Sequence, residues 1–152
     1  MTGTRGYNAN AIAARGRIYV AADNKVFAFN VTVTALQISS AVSRKTHGAA
    51  GDFDVALPLT GEPGVECRSS SGNHTLVVTC SNTLVSGNAS VTSGTGNVAG
   101  SPTFSGNTMT VNVTGVTDVQ TLTVTLSNVT DTFSQVLPDT PVSMNMLIGD
   151  TT

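Results

Sequence analysis

Tryptophan is absent from this chain of 152 residues, and Phe and Tyr together supply only 5% of it. Sugar faces stack on aromatic side chains, so that poverty argues against a carbohydrate-binding platform or an aromatic-lined glycosidase cleft. Charge is scarce too, at 11% of residues with a net charge of −2, where about 25% is usual. No basic cluster exists, which excludes nucleic acid and anionic membrane surfaces as electrostatic partners. No apolar run approaches the roughly 20 residues that span a bilayer. The start, MTGTRGYNANAIAARGR, has no basic segment followed by an apolar one, so no signal peptide is visible. Two cysteines, Cys67 and Cys80, are too few for a disulfide framework. A bridge between them, or two separate thiols, are the alternatives. A hairpin centred on Gly72 would set Cys67 against Leu76 or Val77 rather than against Cys80.

What fills the chain instead is Thr, Ser, Asn, Val and Gly. Solubility must come from hydroxyls and amides, a composition typical of secreted all-β modules and uncommon in intracellular enzymes. An extracellular location without a visible leader implies a piece of a longer precursor. The expected strands are RIYVA (17–21), KVFAFNVTV (25–33), FDVAL (53–57), TLVVTC (75–80), NASVTS (88–93), TMTVNVTG (108–115), QTLTVTLSNV (120–129) and VSMNMLIG (142–149). In TMTVNV the residues Met109, Val111 and Val113 share one face; in TLTVTL the apolar face is Leu122, Val124 and Leu126. Alternation with a Thr-rich outer face is the pattern of antiparallel sheet with one wet side. Turn signals such as Gly61-Glu62-Pro63-Gly64 and Ser105-Gly106-Asn107 separate the runs. The fold class is therefore all-β: an immunoglobulin-like antiparallel β-sandwich with an N-terminal β-hairpin turning at Asp23-Asn24. The expected division is residues 1–34 for the hairpin segment, 35–149 for the sandwich and 150–152 for the start of a following domain.

One stretch, SRKTHGAAGDFDVALPLTGEPGVECRSSSG (43–72), concentrates the chemistry, with His47, Asp52, Asp54, Glu62, Glu66, Cys67 and two Arg. A thiol hydrolase built from Cys67, His47 and Asp52 or Asp54 has its parts here. Yet Glu66 beside Cys67 would raise a thiol pKa rather than activate it, and a small inner-strand residue is the simpler reading. Asp52 and Asp54 lie two apart, so on a strand they share a face and can pair with Arg44, Lys45 or Arg68. No metal spacing such as HxxxH or CxxC exists. A surface calcium at Asp52 and Asp54 is the only metal reading, and no cofactor is implied. His74, after Asn73 at a turn, reads as an exposed loop residue. Asn30, Asn73, Asn88, Asn112 and Asn128 open N-x-S/T triplets that a Thr-rich composition produces by chance. The structural reading makes Arg44, Asp54, Glu66 and Arg68 a network that fixes the first strands. Pro58 and Pro63 would end pairing at a sheet edge.

GRIYVAADNKVFAFNV resembles the closing strands of a blade in quinoprotein-type β-propellers. SRKTHGAAGDFDVALPLTG, GVECRSSSG, VTSGTGNV and VTGVTDVQTLTVTLSNV are together similar to bacterial secreted immunoglobulin-like modules that precede a type I dockerin. The closing MLIGDTT resembles the entry to such a dockerin, although Asp150 alone cannot hold a calcium ion, which needs 6–8 oxygens. Cys80 stands where that pattern more usually has an aromatic, which argues for an unpaired Cys67. The resemblance covers about residues 36–150. It implies a non-catalytic extracellular spacer or interaction module whose partners are neighbouring domains or other copies of itself. The alternative is a small esterase or glycosidase-like hydrolase using His47, Asp52, Asp54 and Cys67.

Overall fold

The computed structural model describes residues 11–15, 17–22, 24–30, 32–68 and 71–147. The expected start of a following domain at 150–152 lies outside the described residues. The chain divides into two compact units, with the boundary between Thr34 and Ala35. Among the described residues there is no α-helix, only one 3₁₀ turn at Gly48–Ala50, so no helix is long and apolar enough to cross a membrane.

The first unit is a three-stranded antiparallel sheet of β1 (Ala11–Ala14), β2 (Arg17–Ala22) and β3 (Lys25–Asn30), in the order β1-β2-β3. The expected hairpin is its β2–β3 half, turning through Asn24 at φ 57°, where an Asn tolerates the left-handed conformation. The added strand β1 was not legible, because AIAA is four residues long, shows no apolar–polar alternation and has Ile12 as its single β-branched residue. Register places Ala11, Val20 and Phe27 in one row and Ala13, Ile18 and Phe29 in the next row of the same face. That face is apolar throughout those rows, yet Phe27 and Phe29 are 44% and 56% exposed.

The second unit is an all-β sandwich. One sheet holds β4 (Ile38–Thr46), β5 (Asp52–Ala56), β7 (His74–Cys80), β9 (Asn97–Val98), β10 (Thr103–Ser105) and β11 (Thr108–Thr114), in the order β10-β11-β7-β4-β5 with β9 also on β11. The other holds β6 (Gly64–Glu66), β8 (Leu84–Ser93), β12 (Gln120–Asp131) and β13 (Thr140–Met146), in the order β6-β13-β12-β8. All pairs are antiparallel except β6 with β13.

Alternation builds the core. Leu76, Val78 and Cys80 of β7 and Met109, Val111 and Val113 of β11 meet Leu122, Val124 and Leu126 of β12 and Val142, Met144 and Met146 of β13. With no buried aromatic among these, flexible Met side chains fill the gaps between β-branched neighbours. Along β12 the inward series runs to Leu126 and resumes at Val129 and Asp131. The register shift after Ser127, with Asn128 at φ 51°, is a bulge that re-phases the strand. The outer faces carry hydroxyl pairs such as Thr123–Ser143 and Thr92–Thr125.

The crossover from β5 to β6 carries the chain from one sheet to the other, with Pro58 and Pro63 in the intervening loop. Gly64 sits where a Cβ would come 2.3 Å from the Ala56 carbonyl oxygen. Backbone cannot yield cheaply there, so Gly64→Ala is expected to lower stability by about 1–3 kcal/mol. Denaturant melts with a lowered midpoint and an unchanged slope would show it.

The topology decides two points that the sequence left open. Residues 64–66 and 74–80 do not form a hairpin about Gly72, because β6 pairs with β13 in the opposite sheet. Cys67 and Cys80 are free thiols, the first exposed and the second buried in the core. Cys67 follows β6 and is exposed, so it is not the inner-strand residue that the sequence suggested, while Cys80 ends β7 in the other sheet; neither Cys faces the other across a ladder.

Candidate functional site: an inter-sheet polar clasp

The chemistry-rich stretch folds into β4, β5, β6 and their connections, and it splits into an outer and an inner group. On the outer face, Arg44 and Asp54 are cross-strand partners. Arg44 Nε and Nη2 donate to the two Asp54 oxygens at 2.8 and 2.7 Å, a bidentate pair. Asp52 lies 3.5 Å from Arg44 Nη1 and accepts from Thr46 Oγ1 at 2.6 Å. The Arg44 hydrogen bond holds the Asp54 carboxyl below its ordinary range, against a smaller opposing effect of burial.

The inner group bridges the two sheets. Glu66 on β6 is 1% exposed. Its Oε2 accepts from the buried Ser43 hydroxyl on β4 and from Arg68 Nη2. Its Oε1 accepts from the Arg68 backbone N–H at 2.9 Å and from Arg68 Nε at 2.8 Å. The same guanidinium donates to the carbonyls of Phe53 on β5 and Ser43 on β4, at 2.8 and 2.9 Å. Burial alone would raise the Glu66 pKa. Hydrogen bonds from Arg68 and Ser43, with the Arg68 charge, outweigh it and bring the value to about 2. Thus one carboxylate and one guanidinium tie the short edge strand of one sheet to two strands of the other.

His74 opens β7 and points inward with Leu76, Val78 and Cys80. It is 6% exposed, so the expectation of an exposed loop histidine is overturned. Alternation along HTLVVTC carried the signal, since His74 falls in the inward phase of that run. Its Nε2 is buried with no hydrogen-bond partner. Ser43, His74 and Glu66 therefore do not connect as a hydroxyl–imidazole–carboxylate relay.

The residues of the hydrolase alternative are not assembled either. The His47 ring packs edge-on against Phe53 at 5.3 Å between centroids, beside a hollow of about 360 Å³ lined by His47, Ala50 and Phe53. Asp52 and Asp54 are occupied by Thr46 and Arg44. Among the described residues Cys67 makes no hydrogen bond or ion pair with His47, Asp52 or Asp54. No group of three or more His, Cys, Asp or Glu suited to a metal occurs among the described residues. A second polar centre, Asp131, accepts from Asn82 Nδ2, from the Phe133 and Gln135 amides and from Gln135 Nε2. The three bonds from Phe133 and Gln135 close the turn after β12, and the Asn82 bond ties that turn to the β7–β8 connection, a structural task.

No family model, curated protein or solved structure matches the chain. The class defined by the fold is an all-β, immunoglobulin-like sandwich with a separate three-stranded sheet.

Proposed function

We propose that the chain is a non-catalytic extracellular module of a larger secreted protein, one that serves as a spacer or interaction unit and associates with other copies of itself through its N-terminal strands. The observation that carries this reading is the apolar face of the β1-β2-β3 sheet, with Ile18, Phe27 and Phe29 open to solvent. A three-stranded sheet needs a covered hydrophobic face to be stable. Both β1 and β3 pair only with β2, so each also leaves an open edge among the described residues. Edges of that kind template further strand pairing. A second copy brings a matching face and matching edges in a single partner. The resemblances of GRIYVAADNKVFAFNV to a propeller blade, and of the main body to bacterial modules that precede a dockerin, agree with an origin in a multidomain secreted protein.

Sedimentation velocity on the full chain tests the assembly. The expected result is concentration-dependent oligomers that Phe27→Glu/Phe29→Glu reduces to monomer, with the sandwich still folded by circular dichroism. A wild-type chain that stays monomeric across a wide concentration range overturns the self-association.

A further inference from the structure

The clasp contains a group that its bonding does not use. His74 sits at the start of β7, buried, with Nε2 lacking any partner. The charged groups acting on it are Glu66 from β6, Arg68 just beyond β6 and Lys45 from β4. On its other flank β11 presents Val113, its cross-strand neighbour. Lys45 lies on the same face of β4 as Ser43, two residues along. The surroundings therefore hold two cations and one carboxylate. Both oxygens of that carboxylate already accept two hydrogen bonds each, from Arg68 and Ser43. An imidazolium formed here is a third cation, its Nε2 unpartnered and the neighbouring carboxylate's oxygens already taken, in a buried place.

We propose that His74 makes the inter-sheet clasp acid-labile: once its ring takes up a proton, the cheapest relief is for β6 to let go of Ser43 and the six-stranded sheet, opening the β6–β13 edge. β6 is the element to yield because it has three residues and one strand partner. The sign follows from burial, the largest influence, which lowers the His74 pKa below 6.5. The folded state then binds fewer protons than the unfolded state, so stability is full above about pH 6.5 and is lost as pH falls below it. Glu66, near 2, stays ionised throughout this window.

Hydrogen exchange followed by NMR reads the device directly. The Leu147 amide donates to the Glu66 carbonyl and so reports the seating of β6. Between about pH 7.5 and about pH 5.5 its protection, corrected for intrinsic exchange, is expected to fall at least about fivefold. Amides in the centre of β12 should hold. In His74→Leu the fall disappears, while the unchanged drop in that variant overturns the proposal. If His74→Leu does not fold, His74→Gln and the wild-type chain decide the matter. Constant Leu147 protection in the wild type, or a His74 ring that titrates at or above its ordinary value, refutes it.

Discussion

Arg68→Met is expected to lower the unfolding free energy by about 3–5 kcal/mol, the usual cost of removing one member of a buried ion pair. Without the guanidinium, the upward push of burial on the Glu66 pKa loses its main opposition, and the buried carboxylate is left without its counter-charge. It would keep the Ser43 hydroxyl and the backbone N–H of residue 68 as donors but lose both guanidinium bonds. The Phe53 and Ser43 carbonyls would lose their guanidinium donor as well. Met matches the length of the aliphatic stem, so lost packing contributes little. The contrast is Arg44→Met. That pair is bidentate but about one-third exposed, and exposed pairs are worth about 0–1 kcal/mol. Equilibrium denaturation of both variants should separate them clearly. Adding Glu66→Gln to Arg68→Met removes the stranded charge and should recover part of the loss, a non-additivity that a double-mutant cycle measures. Equal midpoints for wild type and Arg68→Met would remove the clasp from the account of stability.

The sandwich was legible where side chains alternate strongly. Met109, Val111 and Val113, and Leu122, Val124 and Leu126, face the core as the period-two pattern requires. β4 was harder, because the inward series Ala41, Ser43 and Lys45 contains one small apolar residue and two polar ones. A strand whose inner face is part of a polar clasp does not advertise itself by hydrophobicity. The partner of β6 was not legible at all. A parallel pairing with β13 joins residues some eighty positions apart, and three residues of local sequence cannot encode such a register. The two Arg–carboxylate pairs were legible because few charges exist and each has few choices of partner. The burial of His74 was missed because the turn residues before it were given more weight than the alternation after it.

Acid should dismantle the clasp in a second window, well below that of His74. Glu66 has a folded pKa of about 2 against an ordinary value of 4.5. A carboxyl with a depressed folded pKa contributes stability that is full above its unfolded pKa and is lost as pH falls toward its folded one. The predicted loss therefore falls between about pH 4.5 and about pH 2, and reaches about 3 kcal/mol at most. Asp54 and Asp131 are displaced in the same direction, the first by Arg44. In Asp131 burial is outweighed by bonds from Asn82, Gln135 and Phe133. Their titration adds to the slope in wild type and must survive in a Glu66 variant. Glu66→Gln is thus expected to be less stable than wild type at neutral pH, yet to lose less on acidification, so that the two stability curves converge at low pH. Denaturant titrations at about pH 5 and about pH 2.5 would measure the convergence. Parallel curves would mean that Glu66 is not held ionised by Arg68 and Ser43. Taken with the His74 window, the clasp would then loosen in two stages: first when the unpartnered imidazole charges, and again when the carboxylate that ties the sheets together is neutralised.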